Sequence, residues 1–129
     1  MKKFTILCIV ILIAANTFAQ KIPVSPCGTD KVYRQFDFWI GEWEAYNLQG
    51  KKSGDSKISL ILDSCIVLEE WTSVPIPGIF DYKGKSFNTY NAVTKQWQQS
   101  WVDNVGGSTN YTLGKFEDNK IVFQTEPFQ

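Results

Sequence analysis

The chain has 129 residues, with 13 basic and 13 acidic side chains, a single arginine and no histidine. The missing histidine excludes Ser-His-Asp and Cys-His nucleophiles, His-ligated zinc and proximal-His haem. The one methionine is Met1, and no D-x-[DN]-x-[DN]-G calcium loop is present, so neither a metal nor a cofactor is expected. Without a basic stripe to displace counterions, nucleic acid is not an expected partner either.

The N-terminus has the pattern of an export signal. Lys2 and Lys3 precede an apolar run from Phe4 to Ala15, and Thr17-Phe18-Ala19 supplies the small-residue exit, so residues 1–19 read as a signal peptide cleaved after Ala19. The apolar run falls short of the roughly 20 residues that span a bilayer, so no membrane association is expected after cleavage. The alternative for this stretch is a retained anchor. Cys8 lies inside the apolar run with no small-residue site before it, which argues against a lipoprotein. The expected location is periplasmic or extracellular. The mature chain would then be one domain with eleven basic and thirteen acidic residues.

Residues 20–35 carry two prolines, a cysteine and a glycine and read as an extended arm. In an exported protein the pair Cys27 and Cys65 is first read as a disulfide, worth roughly 3–4 kcal/mol through the chain entropy it removes. The alternative is two separate thiols. The β domain is expected over 36–129. It opens with FDFWIGEWEAY, residues 36–46, where five aromatic side chains alternate with Asp37, Glu42 and Glu44.

Strands are expected at 42–47, 57–63, 65–72, 86–91, 97–103, 109–116 and 121–125. The separators NAVTK, NVGGS and EDNK carry the Asn, Asp and Gly chemistry of hairpin turns. Ile58, Leu60 and Leu62 alternate on one face of the second strand. Residues 73–85 form the one long connection. Pro75, Pro77 and Gly78 forbid regular pairing there while Ile76, Ile79 and Phe80 want cover, so this loop is expected to act as a lid or a plug. No internal repeat is evident. Gly84-Lys85-Ser86 resembles the end of a phosphate loop but lacks the earlier glycine and the helix that should follow. The sequon at Asn110 matters only in a host that glycosylates exported proteins.

Strand parity groups the side chains with chemical potential. Trp97, Gln99 and Trp101 share a face, Ser86, Asn88 and Tyr90 share another, and Glu69 and Trp71 share a third with Cys65 and Val67. If all look inward, the interior suits a polar small-molecule ligand with a flat apolar surface. The bland alternative makes the tryptophans core and turns the amides to water. Glu69, buried beside Trp71, could serve as a general acid or base with Tyr90 as partner, which would make the protein a histidine-free enzyme. Glu42 and Glu44 share a face about 7 Å apart, a spacing that glycoside hydrolysis uses, but such pairs are common on exposed strands.

FDFWIGEWEAY resembles the opening of the calycin barrels, in which a short aromatic turn leads into Gly-x-Trp. The resemblance makes Phe36 the seat of the turn, Gly41 a point of close backbone passage and Trp43 the plug of the closed end. More closely, FDFWIGEW, CIVLEEW, GKSFNTYN and WQQSWVD resemble an uncharacterised family of secreted bacterial lipocalin-like proteins, over about 70 residues between Phe36 and Asp103. That resemblance implies an all-β, antiparallel up-and-down, calycin-like barrel. It favours Glu69, Trp71, Ser86, Asn88, Tyr90, Trp97, Gln99 and Trp101 as signature positions, with no established activity. Members of the family continue through further strands, and the late-strand arginine of lipocalins has no counterpart here. The barrel is therefore expected to be incomplete at its C-terminal side, with an open strand edge able to pair with another copy.

Overall fold

In the computed structural model, which describes residues 24–125, seven strands form one antiparallel sheet. They are β1 (Gly41–Tyr46), β2 (Lys52–Ile61), β3 (Ile66–Ser73), β4 (Lys83–Asn91), β5 (Gln96–Asp103), β6 (Ser108–Glu117) and β7 (Lys120–Thr125). Each pairs with its neighbour in sequence, so the sheet is an up-and-down meander, and it curls strongly into an open half-barrel with β1 and β7 at its edges. The expected fold class is thus observed. The signal-peptide reading of residues 1–19 lies outside the described residues.

The turns explain why the chain reverses where it does. Asn47 accepts hydrogen bonds from the amides of Gln49 and Lys51, Asn91 from those of Val93 and Thr94, and Asp103 from those of Val105 and Gly107. Each short polar side chain mimics the backbone acceptor of a turn and so ends its strand. The β6–β7 turn places Asp118 and Asn119 at φ +50° and +57°, the left-handed geometry that two-residue hairpins require.

Several expectations need correction. The second strand runs over Lys52–Ile61 rather than 57–63, and Leu62 begins a left-handed turn at φ +51° with 71 % of its surface exposed. Its apolar side chain continues the alternation of the strand after the backbone has already turned. The N-terminal arm is not extended either. Pro26–Gly28, Lys31–Arg34 and Asp37–Trp39 are 3-10 turns, the first two capped by the side chains of Ser25 and Asp30.

These turns close one end of the half-barrel. Cys27 and Cys65 form the disulfide, which joins the N-terminal segment to the β2–β3 turn. Arg34 Nη2 donates to the Ser64 carbonyl at 2.6 Å, and Trp97 Nε1 donates to Gln35 Oε1 at 3.1 Å. Phe36 is buried with ring centroids 5.1 Å from Trp39, 5.3 Å from Trp97 and 6.2 Å from Phe123. Ile58 and Val67 complete the buried cluster, with Leu60, Tyr90 and Ile121 packed around it. The plug of this end is therefore Phe36 and not Trp43. Trp43 is 47 % exposed and donates from Nε1 to the Trp39 carbonyl at 2.8 Å, which ties β1 to the preceding turn. Gly41 holds φ +145°, a conformation that strains any side-chain-bearing residue.

The long connection between β3 and β4 lies at the opposite end. Its Ile76, Ile79 and Phe80 are each more than half exposed, so these apolar side chains neither plug nor cover the half-barrel. The connection is stitched to its neighbours instead: the Val74 amide donates to the Ser53 carbonyl and Asn104 Nδ2 to the Asp81 carbonyl.

Candidate functional site on the concave face

Strand register decides which side chains meet, because directly paired residues share a face. Across the sheet, Ile58 pairs with Glu69, Glu69 with Ser86, and Ser86 with Trp101; one step along, Val67 pairs with Asn88, Asn88 with Gln99, and Gln99 with Tyr111. Tyr90 pairs with Trp97, and Trp71 with Gly84. Glu69, Trp71, Asn88, Tyr90, Trp97, Gln99 and Trp101 accordingly all belong to the concave face. The convex face carries Glu42, Lys57, Glu70 and Lys85 in adjacent register, alternating in sign.

A continuous polar row runs through the concavity. Ser56 and Ser86 donate their hydroxyls to the two oxygens of Glu69, each at 2.8 Å. Asn88 Nδ2 donates to Ser86 Oγ and to the Val67 carbonyl, both at 3.0 Å, and Gln99 Nε2 donates to Asn88 Oδ1 at 2.8 Å. Ser56, Ser86 and Asn88 are buried, whereas Glu69, between the two serines, and Gln99, at the far end of the row, are half-buried. A buried polar chain of this kind holds each member in one orientation because every unmade bond would carry a desolvation penalty.

The tryptophans divide into two roles. Trp97 is 2 % exposed and packs edge-on against Tyr90 and Phe36, so it is floor. Trp71 and Trp101 remain half-buried higher in the concavity, each laid over a glycine of the preceding strand. A Cβ at Gly54 would come within 2.5 Å of Trp71 Cζ2, and one at Gly84 within 2.8 Å of Trp101 Cε2 and closer still to Cζ2 and Cη2. Only a residue without a side chain lets the indole lie there.

Near Trp101 the concavity opens into a groove of about 490 Å³ lined by Tyr82, Gln99, Trp101, Asp103, Thr109 and Tyr111, among others. Asp103 is its anchor. Its Oδ1 accepts the amides of Val105 and Gly107, while Oδ2 accepts the Tyr82 hydroxyl at 3.0 Å and Trp101 Nε1 at 3.4 Å. Burial pushes the Asp103 carboxyl up, but the Gly107 and Val105 amides, with Tyr82 and Trp101, outweigh it and hold the group below the usual aspartate range. Tyr82 is displaced upward, by burial and then by the carboxylate it bonds.

The proton-transfer pair expected from the sequence does not form. Tyr90 lies four residues along β4 from Ser86, the partner of Glu69, a backbone distance of roughly 13 Å at normal strand rise. Tyr90 instead meets Tyr33 edge-on at 5.5 Å. Glu42 and Glu44 lie exposed on the convex side. Glu44 is held below its usual range by hydrogen bonds from Lys52 and Tyr46. Among the described residues no group of three or more His, Cys, Asp or Glu side chains comes together to hold a metal.

Sequence reasoning missed Ser56, Tyr82, Asp103 and Tyr111, and the signal for the first was present as a period. The β2–β3 pairs Gly54–Ser73, Ser56–Trp71, Ile58–Glu69 and Leu60–Val67 recur 30 residues later. Their β4–β5 counterparts are Gly84–Asp103, Ser86–Trp101, Asn88–Gln99 and Tyr90–Trp97. The chain therefore contains a repeated hairpin, contrary to the expectation of no internal repeat. Each copy places Gly-x-Ser on its first strand and a tryptophan over the glycine from its second. No family model, curated protein or solved structure matches the chain.

Proposed function

We propose that the protein is an exported small-molecule-binding protein and that the concave face of its half-barrel is the binding surface. The observation that carries this reading is the position of the polar row, flanked on one side by two half-buried indoles and continuous with an open groove. Gln99 commits its amide nitrogen to Asn88 and Ser86 and keeps its carbonyl oxygen as an acceptor beside the Trp101 ring. Trp101 and Trp71 offer stacking surface, Glu69 and Gln99 orient a ligand, and Asn88, Tyr90 and Trp97 support them from below. The curled meander agrees with the lipocalin-like resemblance, and the disulfide suits the oxidising environment that the N-terminal export pattern implies.

Intrinsic tryptophan fluorescence, read against neutral sugars, lipids and aromatic metabolites, tests the site. A ligand that perturbs the emission should lose affinity in Trp101→Ala and Gln99→Ala, while both variants keep a cooperative melt. If no candidate perturbs the spectrum, the concave face is core and the proposal fails. A second reading follows from the sheet order, which leaves β1 and β7 without an outer strand partner among the described residues: two copies could pair edge to edge. Light scattering that reports a monomer at every concentration would reject it.

A further inference from the structure

The repeated hairpin and the charge of the groove together narrow the ligand, on the premise that the concave face is a binding surface. We infer that the occupant is a neutral linear glycan bound along two subsites related by the repeat, a primary one on Trp101 in the groove and a second on Trp71. Neither lysine nor arginine lines the groove at Trp101, so an anionic ligand would find no counter-charge there. Its one carboxylate, Asp103, already accepts four hydrogen bonds, two on each oxygen, so a cationic ligand would have to displace bonds already made there. What remains on offer is the Gln99 carbonyl, the hydroxyls of Thr109 and Tyr111, and an indole. Those groups match alternating hydroxyls and the apolar face of a sugar ring.

The repeat supplies the second subsite. Trp71 stands to Gly54 and Ser56 as Trp101 stands to Gly84 and Ser86, with Glu69 in the position of Gln99. The two tryptophans lie two strands apart and two residues offset along the sheet, roughly 12 Å between their backbones at standard spacing and rise. A single sugar ring cannot touch both, whereas a chain of several rings can. On β4 between them the Trp101 indole lies over Gly84, the register partner of Trp71, so its ring reaches toward the strand that carries the second subsite.

The test is calorimetric titration of the full chain with length series of neutral linear oligosaccharides of several linkages, from the monosaccharide upward, alongside an aromatic metabolite and a fatty acid. The expected result is an affinity that climbs with length in at least one series and then levels off. Trp71→Ala should remove that climb, about tenfold for one lost stacking contact, without changing monosaccharide affinity. Trp101→Ala should weaken every length. Trp71→Leu, which keeps apolar volume over Gly54, guards against a folding defect and should behave as Trp71→Ala does. Affinity independent of length, or equal losses at all lengths in the Trp71 variants, overturns the paired subsites. Binding of only the aromatic or lipid probe overturns the glycan while leaving the concave site standing. Binding of nothing overturns both.

Discussion

Replacing Gly84 by alanine should destabilise the protein through one contact, and the contact can be removed to prove it. The added Cβ would sit within 2.8 Å of Trp101 Cε2 and nearer to Cζ2 and Cη2, with the Trp101 ring supplying all three of its closest neighbours. Forcing a carbon into such a site costs about 1–3 kcal/mol through displaced rotamers and strand shifts. For a domain of this size that lowers the melting temperature by about 4–8 °C per kcal/mol. The backbone itself has no objection, since Gly84 is not among the glycines with positive φ. In a Trp101→Ala background the same substitution should therefore stabilise, by about 0.5–1 kcal/mol, because alanine loses less chain entropy than glycine in a strand. The resulting interaction energy, about 1.5–4 kcal/mol by double-mutant cycle, is read from urea melts of the four proteins. An equal cost of Gly84→Ala in both backgrounds would refute the placement of the indole over Gly84. The equivalent Gly54→Ala should not be rescued by Trp71→Ala, because its Cβ also meets the Thr72 carbonyl oxygen at 2.5 Å, which no side-chain deletion moves.

Two further outcomes follow from the closed end and from the groove. Reducing the Cys27–Cys65 bond, or replacing both cysteines by serine, should lower stability by about 4 kcal/mol for the loop it closes, seen as a fall in urea midpoint with a dithiothreitol-insensitive variant. Because the Asp103 carboxyl is depressed in the folded state, the unfolded chain binds its proton first as pH falls. Stability from this group is therefore present above the unfolded aspartate value near pH 4 and lost below it. Asp103→Asn should flatten the acid limb of a melting-temperature profile below pH 4, and an unchanged limb would remove Asp103 as its source.

Much of the fold was legible because the turn chemistry was local. Asn91, Asp118 and Asn119 announce reversals by their own side chains, and the strands between them alternate plainly. The first half of β2 was not legible, since Ser53, Gly54, Asp55 and Ser56 have no apolar alternation. Its inward positions are small because Trp71, far off in sequence, occupies the space above them. The same reason hid the repeat: what recurs is a glycine and a serine beneath a tryptophan, not a run of apolar residues. Parity grouped Glu69 with Trp71, Asn88 with Tyr90, and Trp97 with Gln99 and Trp101 strand by strand, and only the register puts the three groups on one side of the sheet. It could not rank their depth, because Trp97 is sealed by Phe36, which arrives on a 3-10 turn outside the sheet. The calycin resemblance makes Trp43, in Gly-x-Trp, the expected plug. Phe36 takes that place because the disulfide and Arg34 pull the preceding segment across the end of the strands.

A sheet in which one hairpin, β2–β3, recurs as β4–β5 has part of its curvature built as an increment. Each Gly-x-Ser strand accepts the indole of the strand that follows it. Inserting or removing a copy would then change the girth of the trough while leaving every local junction as it was. The breadth of what the trough can embrace is thereby a countable property of the chain, adjustable in steps of one hairpin without redesigning any single contact.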